Sequence, residues 1–245
     1  MSTPNLTDRI AVVTGASSGI GAATARQLAA AGARVAVLGR RADRIKPLAD
    51  EIGGLGLVAD VNDLDAVAGT VRDQLGRPDL VVANAGVMLA APFETADRRE
   101  WTEMIDTNIR GLLETGRVFA DDLLAAAASG KPADLIHVGS IGGHIVIPTY
   151  AVYGATKAAV AQLTRVLRAE FGPRGVRVRN VEPGLTDTEL GATMLDTDAR
   201  NFLANFRERY ASIPAEDIAA AITWSAALPA RVNVAELIVV PTGQG

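Results

Sequence analysis

Three side chains between residues 140 and 157 have the types and spacing needed to move a proton: Ser140, Tyr153 and Lys157. Tyr153 and Lys157 are four residues apart, which places both on one face of a helix. A free tyrosine has a pKa of about 10, and a nearby ammonium is expected to lower the Tyr153 pKa so that its hydroxyl serves as a general acid or base. With the Ser140 hydroxyl on the same oxygen, this predicts proton transfer to a carbonyl or from an alcohol. Taken alone, the Tyr-x-x-x-Lys pair also fits an ordinary amphipathic helix.

A second group of residues is suited to binding a phosphate. Gly15, Gly19 and Gly21 follow a short apolar run and open an alanine-rich helical segment. Glycines at such a point let the backbone turn sharply and approach a pyrophosphate, whose charge is favoured by the free N–H groups at a helix start. The spacing G-x-x-x-G-x-G differs from the commoner G-x-G-x-x-G dinucleotide fingerprint. The position between strand and helix predicts a dinucleotide site.

The residues after the second apolar run indicate which dinucleotide binds. An NAD site places an acid there for the ribose 2′-hydroxyl, whereas this chain has Arg40 and Arg41 and no acid until Asp43. A guanidinium can hold a 2′-phosphate through paired hydrogen bonds, and a carboxylate would repel it. The sequence therefore predicts NADP(H), with Arg40 as the main contact and Arg41 supporting it. The alternative is that both arginines belong to a solvated loop.

The chemistry-bearing residues lie at the ends of predicted strands. Short β-branched or apolar runs alternate with helical segments along the chain, which predicts one α/β domain over residues 1–245, a Rossmann-type, doubly wound, mostly parallel sheet of about seven strands with helices on both faces. Ligands of such sheets gather outside the carboxyl ends of the strands. The predicted strands are 10–14, 34–38, 55–59, 80–83, 134–138, 176–181 and 237–240, and the main helices span 42–52, 64–75, 98–128, 153–171 and 215–228.

Composition narrows the function classes. The chain has 245 residues, a net charge of -4 and 49% hydrophobic residues, so a nucleic-acid footprint is not expected. It has no cysteine, which excludes disulfides, thiolate metal sites and a cysteine nucleophile, and its two histidines are too few for a His-rich metal site. We expect no metal and no membrane-spanning segment, and a cytoplasmic location.

Several short motifs follow one another in a fixed order: Thr14-Gly15-x-x-x-Gly19-Ile20-Gly21, Asp60-Val61, Asn84-Ala85-Gly86, Asn108, Ser140, Tyr153-x-x-x-Lys157 and Pro183-Gly184 followed by Thr188. In this order and spacing the chain resembles the short-chain dehydrogenase/reductase family over nearly its whole length. One departure is Ala83, where the family usually has a second asparagine. Two stretches, 182–190 and 240–245, look like the branch with clavulanate-9-aldehyde reductase and broad hydroxy-acid dehydrogenases.

The resemblance implies a role for each matching residue. Tyr153 is implied to be the acid/base, Lys157 to lower its pKa and hold the nicotinamide ribose, Ser140 to orient the carbonyl, and Asn108 to hold a water that links Lys157 to a proton relay. Asp60 and Val61 are implied to flank the adenine, residues 84–86 to line the adenine ribose, and residues 183–188 to cover the nicotinamide. The cofactor-binding set is Gly15, Ser17, Ser18, Gly19, Ile20, Gly21, Arg40, Arg41, Asp60, Val61, Asn84, Ala85, Gly86, Tyr153, Lys157, Pro183, Gly184, Thr186 and Thr188.

The substrate side is predicted less closely. Residues 189–212 are interpreted as a mobile lid that excludes water, and the apolar stretches 87–89 and 145–147 as a mainly hydrophobic pocket wall. Tyr150, with no lysine four residues on, is expected to be packing or pocket wall. The family implies a homodimer or homotetramer.

Three functions follow from these residues. The first is an NADP(H)-dependent reductase of a small-molecule aldehyde or ketone, equivalently a dehydrogenase of the matching alcohol. The second is an NAD-dependent alcohol dehydrogenase. The third is a nucleotide-sensing protein without catalysis on the same scaffold, because a fold does not fix a function.

Overall fold

A computed structural model describes residues 4–244. Seven strands form one sheet in the order β3-β2-β1-β4-β5-β6-β9, and every neighbouring pair in it is parallel. The chain starts in the middle of the sheet, builds outwards to β3, returns to β4 and then builds the other half. The predicted doubly wound sheet of seven strands is confirmed.

The elements begin and end close to the predicted positions. The strands of the large sheet are β1 (Ile10–Thr14), β2 (Arg34–Gly39), β3 (Leu55–Val58), β4 (Leu80–Ala83), β5 (Asp134–Val138), β6 (Arg177–Pro183) and β9 (Glu236–Val239), and a separate short pair is formed by β7 (Thr186–Asp187) and β8 (Ile213–Pro214). The helices are α1 (Gly19–Ala30), α2 (Ala42–Ile52), α3 (Asp65–Leu75), α4 (Arg98–Ile105), α5 (Gly111–Ala128), α6 (Ala151–Phe171), α7 (Thr197–Tyr210) and α8 (Ala215–Ala226).

Two of these elements differ from the sequence prediction. The long helix predicted over 98–128 is interrupted by a π-helical turn, Asp106–Arg110, between α4 and α5. Such a turn adds a residue to the helix and re-aims the side chains around it, and here Asn108 is buried at its centre. The segment read as a polar lid contains a helix, α7, that the sequence prediction did not include.

The sheet is covered on both faces. Along β2, Val35 and Val37 face one apolar cluster, built with α1, α2 and α8, while Ala36 and Leu38 face a second cluster, built with α3, α5 and α6. Successive side chains of a strand point to opposite faces, so a strand buried on both sides is apolar throughout. This explains the nearly continuous apolar runs of the inner strands β1, β2 and β4. No helix among residues 4–244 is long and apolar enough to cross a bilayer.

A buried ionic cluster ties together the amino ends of β1, β4, β5 and β6. The Asp134 carboxylate accepts hydrogen bonds from Arg9 Nη2 at 2.7 Å, Arg177 Nη2 at 2.7 Å and Arg179 Nη2. Arg9 Nε also donates to Asp79 Oδ1 at 2.6 Å. All five side chains are buried, and one carboxylate is therefore shared by three guanidinium groups at the edge opposite the predicted site.

Replacing Asp134 with Asn is expected to lower the free energy of unfolding by about 3–5 kcal/mol, because buried guanidinium groups lose their shared charge partner. Urea unfolding followed by circular dichroism measures the loss. Glu51→Gln is the matched control, since Glu51 pairs with Arg26 where both side chains are about half exposed, and its loss of stability should be much smaller. Similar losses in the two variants would contradict a special role for the buried cluster.

Candidate active site

The carboxyl ends of the parallel strands border a cleft of about 1040 Å³. Nearly all the residues predicted to form the site line this one space. Gly21 and Asn108 do not line it and lie behind its wall. The lining residues from the prediction are Gly15, Ser17, Ser18, Gly19, Ile20, Arg40, Arg41, Asp60, Val61, Asn84, Ala85, Gly86, Ser140, Tyr153, Lys157, Pro183, Gly184, Thr186 and Thr188.

The glycine-rich loop is packed too closely for side chains. Gly15 has a φ of 65°, and a Cβ there would lie 2.7 Å from the Ala85 Cα. A Cβ on Gly21 would lie 2.5 Å from the side-chain nitrogen (Nδ2) of Asn84. The loop is thus pressed against the end of β4, and it presents the start of α1 to the cleft, where free N–H groups favour an anion.

Thr14 opens the first sequence motif, but the prediction gave it no role in the site. Its Oγ1 accepts hydrogen bonds from the backbone N–H groups of Asn84 at 3.1 Å and Ala85 at 3.2 Å. The Asn84 side chain in turn donates to the Thr14 carbonyl at 2.9 Å. Thr14 therefore joins the end of β1 to the segment after β4. The sequence does carry a signal for this role, a hydroxyl side chain at the last position of a strand and directly before the first glycine.

The two arginines after β2 have different environments. The Arg41 guanidinium donates to the hydroxyls of Ser17 at 3.0 Å and Ser18 at 2.7 Å, and to the Glu189 carboxylate at 2.7 Å. The Arg40 side chain is 62% exposed at the cleft, and its nearest acid is Glu103 at 3.9 Å. Arg40 is thus the arginine more available to a ligand, while Arg41 braces the glycine-rich loop. Glu189 was not foreseen as a partner of this loop.

Tyr153, Lys157 and Ser140 meet on one wall of the cleft. Tyr153 and Lys157 lie on α6, each only 6% exposed, with the Lys157 Nζ 5.9 Å from the centre of the Tyr153 ring. Lys157 Nζ donates to the Val138 carbonyl at 3.0 Å. A Cβ on Gly142 would lie 3.2 Å from the Tyr153 ring and 3.3 Å from the Ser140 Oγ. The glycines after Ser140 therefore let its loop fold against the tyrosine.

Burial changes the acidity of both groups on α6. It raises the pKa of Tyr153 to about 12, and a hydrogen bond with Ser140 acts in the opposite direction. It lowers the pKa of Lys157 to about 8. The predicted lowering of the Tyr153 pKa by Lys157 is wrong for this structure, because removing the phenolate from water outweighs the contacts that favour it. A phenol of raised pKa stays protonated at neutral pH, and it is a weaker acid than a free tyrosine.

Asn108 braces the cleft wall from behind. Its Oδ1 accepts the Val87 N–H at 2.8 Å, and its Nδ2 donates to the Val87 carbonyl at 2.9 Å and to the Thr156 hydroxyl at 3.1 Å. A Cβ on Gly86 would lie 3.3 Å from the Asn108 Oδ1 and 3.6 Å from the Lys157 Nζ. Asn108 thus fixes the strand extension that passes in front of Lys157. The water relay implied for it stays a prediction.

The segment after β6 is held by the end of the chain. The Gln244 side-chain oxygen accepts the Leu185 N–H at 2.8 Å, and a Cβ on Gly184 would lie 2.5 Å from that oxygen. Thr186 Oγ1 donates to the Gly184 carbonyl at 3.1 Å. Gln244 is a second site residue that the prediction did not include, since nothing in its local sequence shows where the tail folds.

The remaining wall is mainly apolar. Met88, Leu89 and Tyr150 are buried there and pack with residues of α7. Tyr150 lines the cleft, which confirms its reading as pocket wall. Val146 is 97% exposed, so its expected place in the pocket wall is wrong, while Ile145 and Ile147 on either side line the cleft.

Comparison with known proteins gives a consistent picture. Residues 9–199 match the profile of the family described as short chain dehydrogenase. The chain is 38% identical over 244 residues to sulfoacetaldehyde reductase 2 of Chromohalobacter salexigens, with 96% of this chain and 95% of the relative covered. Two solved structures are similar: the closed form of serine dehydrogenase complexed with NADP+ (TM-score 0.86, 31% identity, 96% of each chain) and 3-ketoacyl-(acyl-carrier-protein) reductase from Brucella melitensis complexed with NADH (TM-score 0.88, 26% identity, 98% and 100%).

The buried ammonium on α6 should affect how stability depends on pH. The pKa of Lys157 is about 8 in the folded protein, whereas an ordinary lysine, as in the unfolded chain, has a pKa of 10.5. Between these two pH values the unfolded chain holds a proton that the folded protein has lost. Stability rises with pH where the unfolded state binds more protons. From about pH 8 to about pH 9.5 the free energy of unfolding of the wild type should rise by about 2 kcal/mol relative to Lys157→Met.

Urea unfolding of both proteins at the two pH values, without nucleotide, measures this difference. The variant serves as the reference because it shares every other titrating group. A difference that stays flat or falls with pH would show that Lys157 keeps its proton when buried.

Proposed function

The chain belongs to the short-chain dehydrogenase family, and on that premise we propose that it transfers a hydride between NADP(H) and a small carbonyl or alcohol substrate, with Tyr153 as the acid/base. Membership of the family makes it an oxidoreductase. The observation that carries the finer proposal is the meeting of Tyr153, Ser140 and Lys157 on one wall of a cleft whose other end is the glycine-rich loop. A non-catalytic nucleotide sensor has no need of this trio.

The cleft fits a dinucleotide. Glycine at positions 15 and 21 lets the loop lie against Asn84 and Ala85, where a Cβ would clash, and the start of α1 borders the cleft. This loop would hold the pyrophosphate, Asp60 and Val61 the adenine, residues 84–86 the adenine ribose, Lys157 the nicotinamide ribose, and residues 183–188 the nicotinamide. When bound, the nicotinamide supplies or accepts the hydride.

The protein's own residues manage one proton. In the reducing direction the Ser140 hydroxyl donates a hydrogen bond to the substrate carbonyl oxygen and orients it, and Tyr153 gives its proton to the same oxygen. An alkoxide is more basic than a phenolate, so this transfer is favourable even with the Tyr153 pKa raised to about 12. The Lys157 ammonium then favours the tyrosinate that remains.

Tyr153→Phe is expected to reduce kcat/KM for carbonyl reduction by about 10²- to 10⁴-fold while nucleotide affinity stays near that of the wild type, because only the general acid is lost. Turnover is followed by NADPH oxidation and affinity by nucleotide fluorescence. Tyr210→Phe makes the same chemical change on α7 and should alter turnover by less than about threefold. A Tyr153→Phe enzyme with near-normal turnover would overturn the assigned role.

The preference for NADP(H) rests on Arg40 and Arg41. Arg40 lies exposed at the cleft after β2, where an acid would serve NAD, and Arg41 joins the loop hydroxyls of Ser17 and Ser18 to the same corner. The two similar solved structures hold NADP+ in one case and NADH in the other. The charge at this corner supports the phosphorylated cofactor, and NAD(H) is the alternative.

Arg40→Asp should shift cofactor preference towards NADH, with the ratio of Kd for NADPH to Kd for NADH rising by roughly 10- to 100-fold, because a carboxylate repels the 2′-phosphate. Fluorescence titration of both cofactors measures the ratio. Arg174→Asp reverses the same charge at an exposed site beyond the far end of α6 and should leave it unchanged. Tighter binding of NADH than NADPH by the wild type would contradict the preference itself.

The proposal also covers the substrate, the lid and the oligomeric state. The relatives' names, sulfoacetaldehyde reductase and serine dehydrogenase, support a small polar substrate. We propose that residues 189–212, which include α7, form the lid of a single domain. We also propose that the chain forms a homodimer or homotetramer in the cytoplasm, and the exposed Ile105, Leu113 and Val166 on the outer helices support such pairing.

A further inference from the structure

We propose that Arg207 and Tyr150 form a subsite that binds an anionic group of the substrate, a carboxylate or a sulfonate, beside the reacting carbon. This inference rests on the proposed function, since it places the subsite in the same cleft. Both side chains line that cleft, Arg207 from α7 and Tyr150 from the residue before α6. The substrate class that follows is a short aldehyde or ketone, or the matching alcohol, that carries one oxyanion.

The charge of Arg207 has no carboxylate partner. Four arginines line the cleft, and three lie near acids: Arg40 near Glu103, Arg41 near Glu189 and Arg99 near Asp97. Among residues 4–244, no carboxylate lies within ion-pairing distance of Arg207.

Each member of the pair has a buried polar atom without a partner. The Tyr150 hydroxyl and the Arg207 Nε are both buried and hydrogen-bond to nothing in the described part of the chain. Buried polar atoms in folded proteins are almost always satisfied, and exceptions are expected where a ligand or an ion completes them. A carboxylate or sulfonate accepts hydrogen bonds from both a phenol and a guanidinium. One oxyanion can therefore satisfy both groups.

The two groups are close enough to influence each other and the catalytic tyrosine. Burial raises the pKa of Tyr150, and the nearby positive charge of Arg207 acts against that shift. The rings of Tyr150 and Tyr153 are 6.4 Å apart in an edge-on arrangement. Because the two rings are neighbours, the proposed subsite favours a short molecule that carries its oxyanion near the reacting oxygen.

The surroundings strengthen an ion pair at this position. Phe202 packs on Tyr150 with ring centres 6.3 Å apart, and Phe206 stacks on Phe202 at 5.8 Å. Apolar walls lower the local dielectric, so a charge pair there is worth more than one in water. The same walls disfavour an unpaired anion, so recognition depends on the guanidinium.

Arg207 also has a structural contact that the experiment must separate from recognition. Its Nη2 donates to the carbonyl oxygens of Thr188 at 3.1 Å and Leu190 at 2.9 Å, which ties α7 to the segment after β6. Loss of this tether would reduce turnover of every substrate alike. Loss of an anion site reduces turnover of anionic substrates selectively.

The experiment compares kcat/KM, with NADPH, for sulfoacetaldehyde and succinic semialdehyde against the neutral butanal. For the wild type at least one anionic aldehyde should be preferred over butanal. Arg207→Gln should lower this preference by roughly 10- to 100-fold, and Tyr150→Phe, which keeps the ring and its packing, by about tenfold. Arg209→Gln removes the same charge from the same helix, where Arg209 is exposed over the Tyr210 ring, and should leave the preference unchanged.

Equal losses for anionic and neutral aldehydes in Arg207→Gln and Tyr150→Phe would overturn the subsite, as would an equal effect of Arg209→Gln. Reduction of butanal with no preference for either anion would reject the subsite while the proposed function stands. If no aldehyde is reduced, the proposed function fails, and calorimetric binding of propanesulfonate and butyrate to the protein with NADPH decides the subsite. Binding weakened by Arg207→Gln and Tyr150→Phe supports it, and absence of binding to the wild type overturns it.

Discussion

The chemistry proposed for this protein depends on the burial of a phenol and an ammonium next to each other on α6. Removal from water raises the pKa of Tyr153 and lowers that of Lys157, so a single cause moves two ordinarily similar values apart and favours the neutral form of both groups. In contact with water, both groups would keep their ordinary pKa values. The surrounding structure maintains this burial. The Lys157 ammonium donates a hydrogen bond to the Val138 carbonyl, and the glycines after Ser140 let their loop pack against the Tyr153 ring.

The parallel sheet places stability and chemistry at opposite edges. At the amino ends of its strands, charged side chains are buried and paired around Asp134. At the carboxyl ends, the chain leaves each strand into a loop that borders the cleft, and several of these loops are held by one side chain from a neighbouring loop, as Thr14 holds Asn84. Because the strands are rigid and buried on both faces, each loop starts from a fixed point. Residues far apart in sequence can therefore form one site.

The sequence predicted those features that depend on local pattern. Short runs with apolar or β-branched residues predicted all seven strands, most clearly β1, β2 and β4, which are covered on both faces and almost wholly apolar, whereas β6 also buries polar side chains and the edge strands β3 and β9 are half exposed. Glycines after the first strand located the glycine-rich loop that borders the cleft. The prediction failed where the outcome depends on the surroundings of a residue. Val146 is apolar and exposed, and the direction of the Tyr153 pKa shift followed from depth of burial, which four-residue spacing cannot reveal.

Long-range contacts were equally hidden. The π-helical turn around Asn108 forms inside a stretch with continuous helical character, and its amide finds the Val87 backbone 21 residues away. The tail residue Gln244 reaches back 59 residues to Leu185. No local signal marks either partner, since an Asn or Gln amide can bond almost any backbone group. Such contacts can be identified only when the fold is known, because the fold brings the two residues together.

Residues 188–190 connect the two ends of the cleft physically. The Glu189 carboxylate is bound by Arg41 and Arg44 beside the glycine-rich loop, whereas the backbone carbonyls on either side of it are bound by Arg207 from α7. The ion pairs to Glu189 are about half exposed, and pairs of that kind contribute at most about 1 kcal/mol each. The segment is thus held at one end by exposed ion pairs and at the other by hydrogen bonds from the Arg207 guanidinium. Exposed ion pairs of this kind are contacts that the lid proposed for residues 189–212 would break and re-form at small cost as it moves.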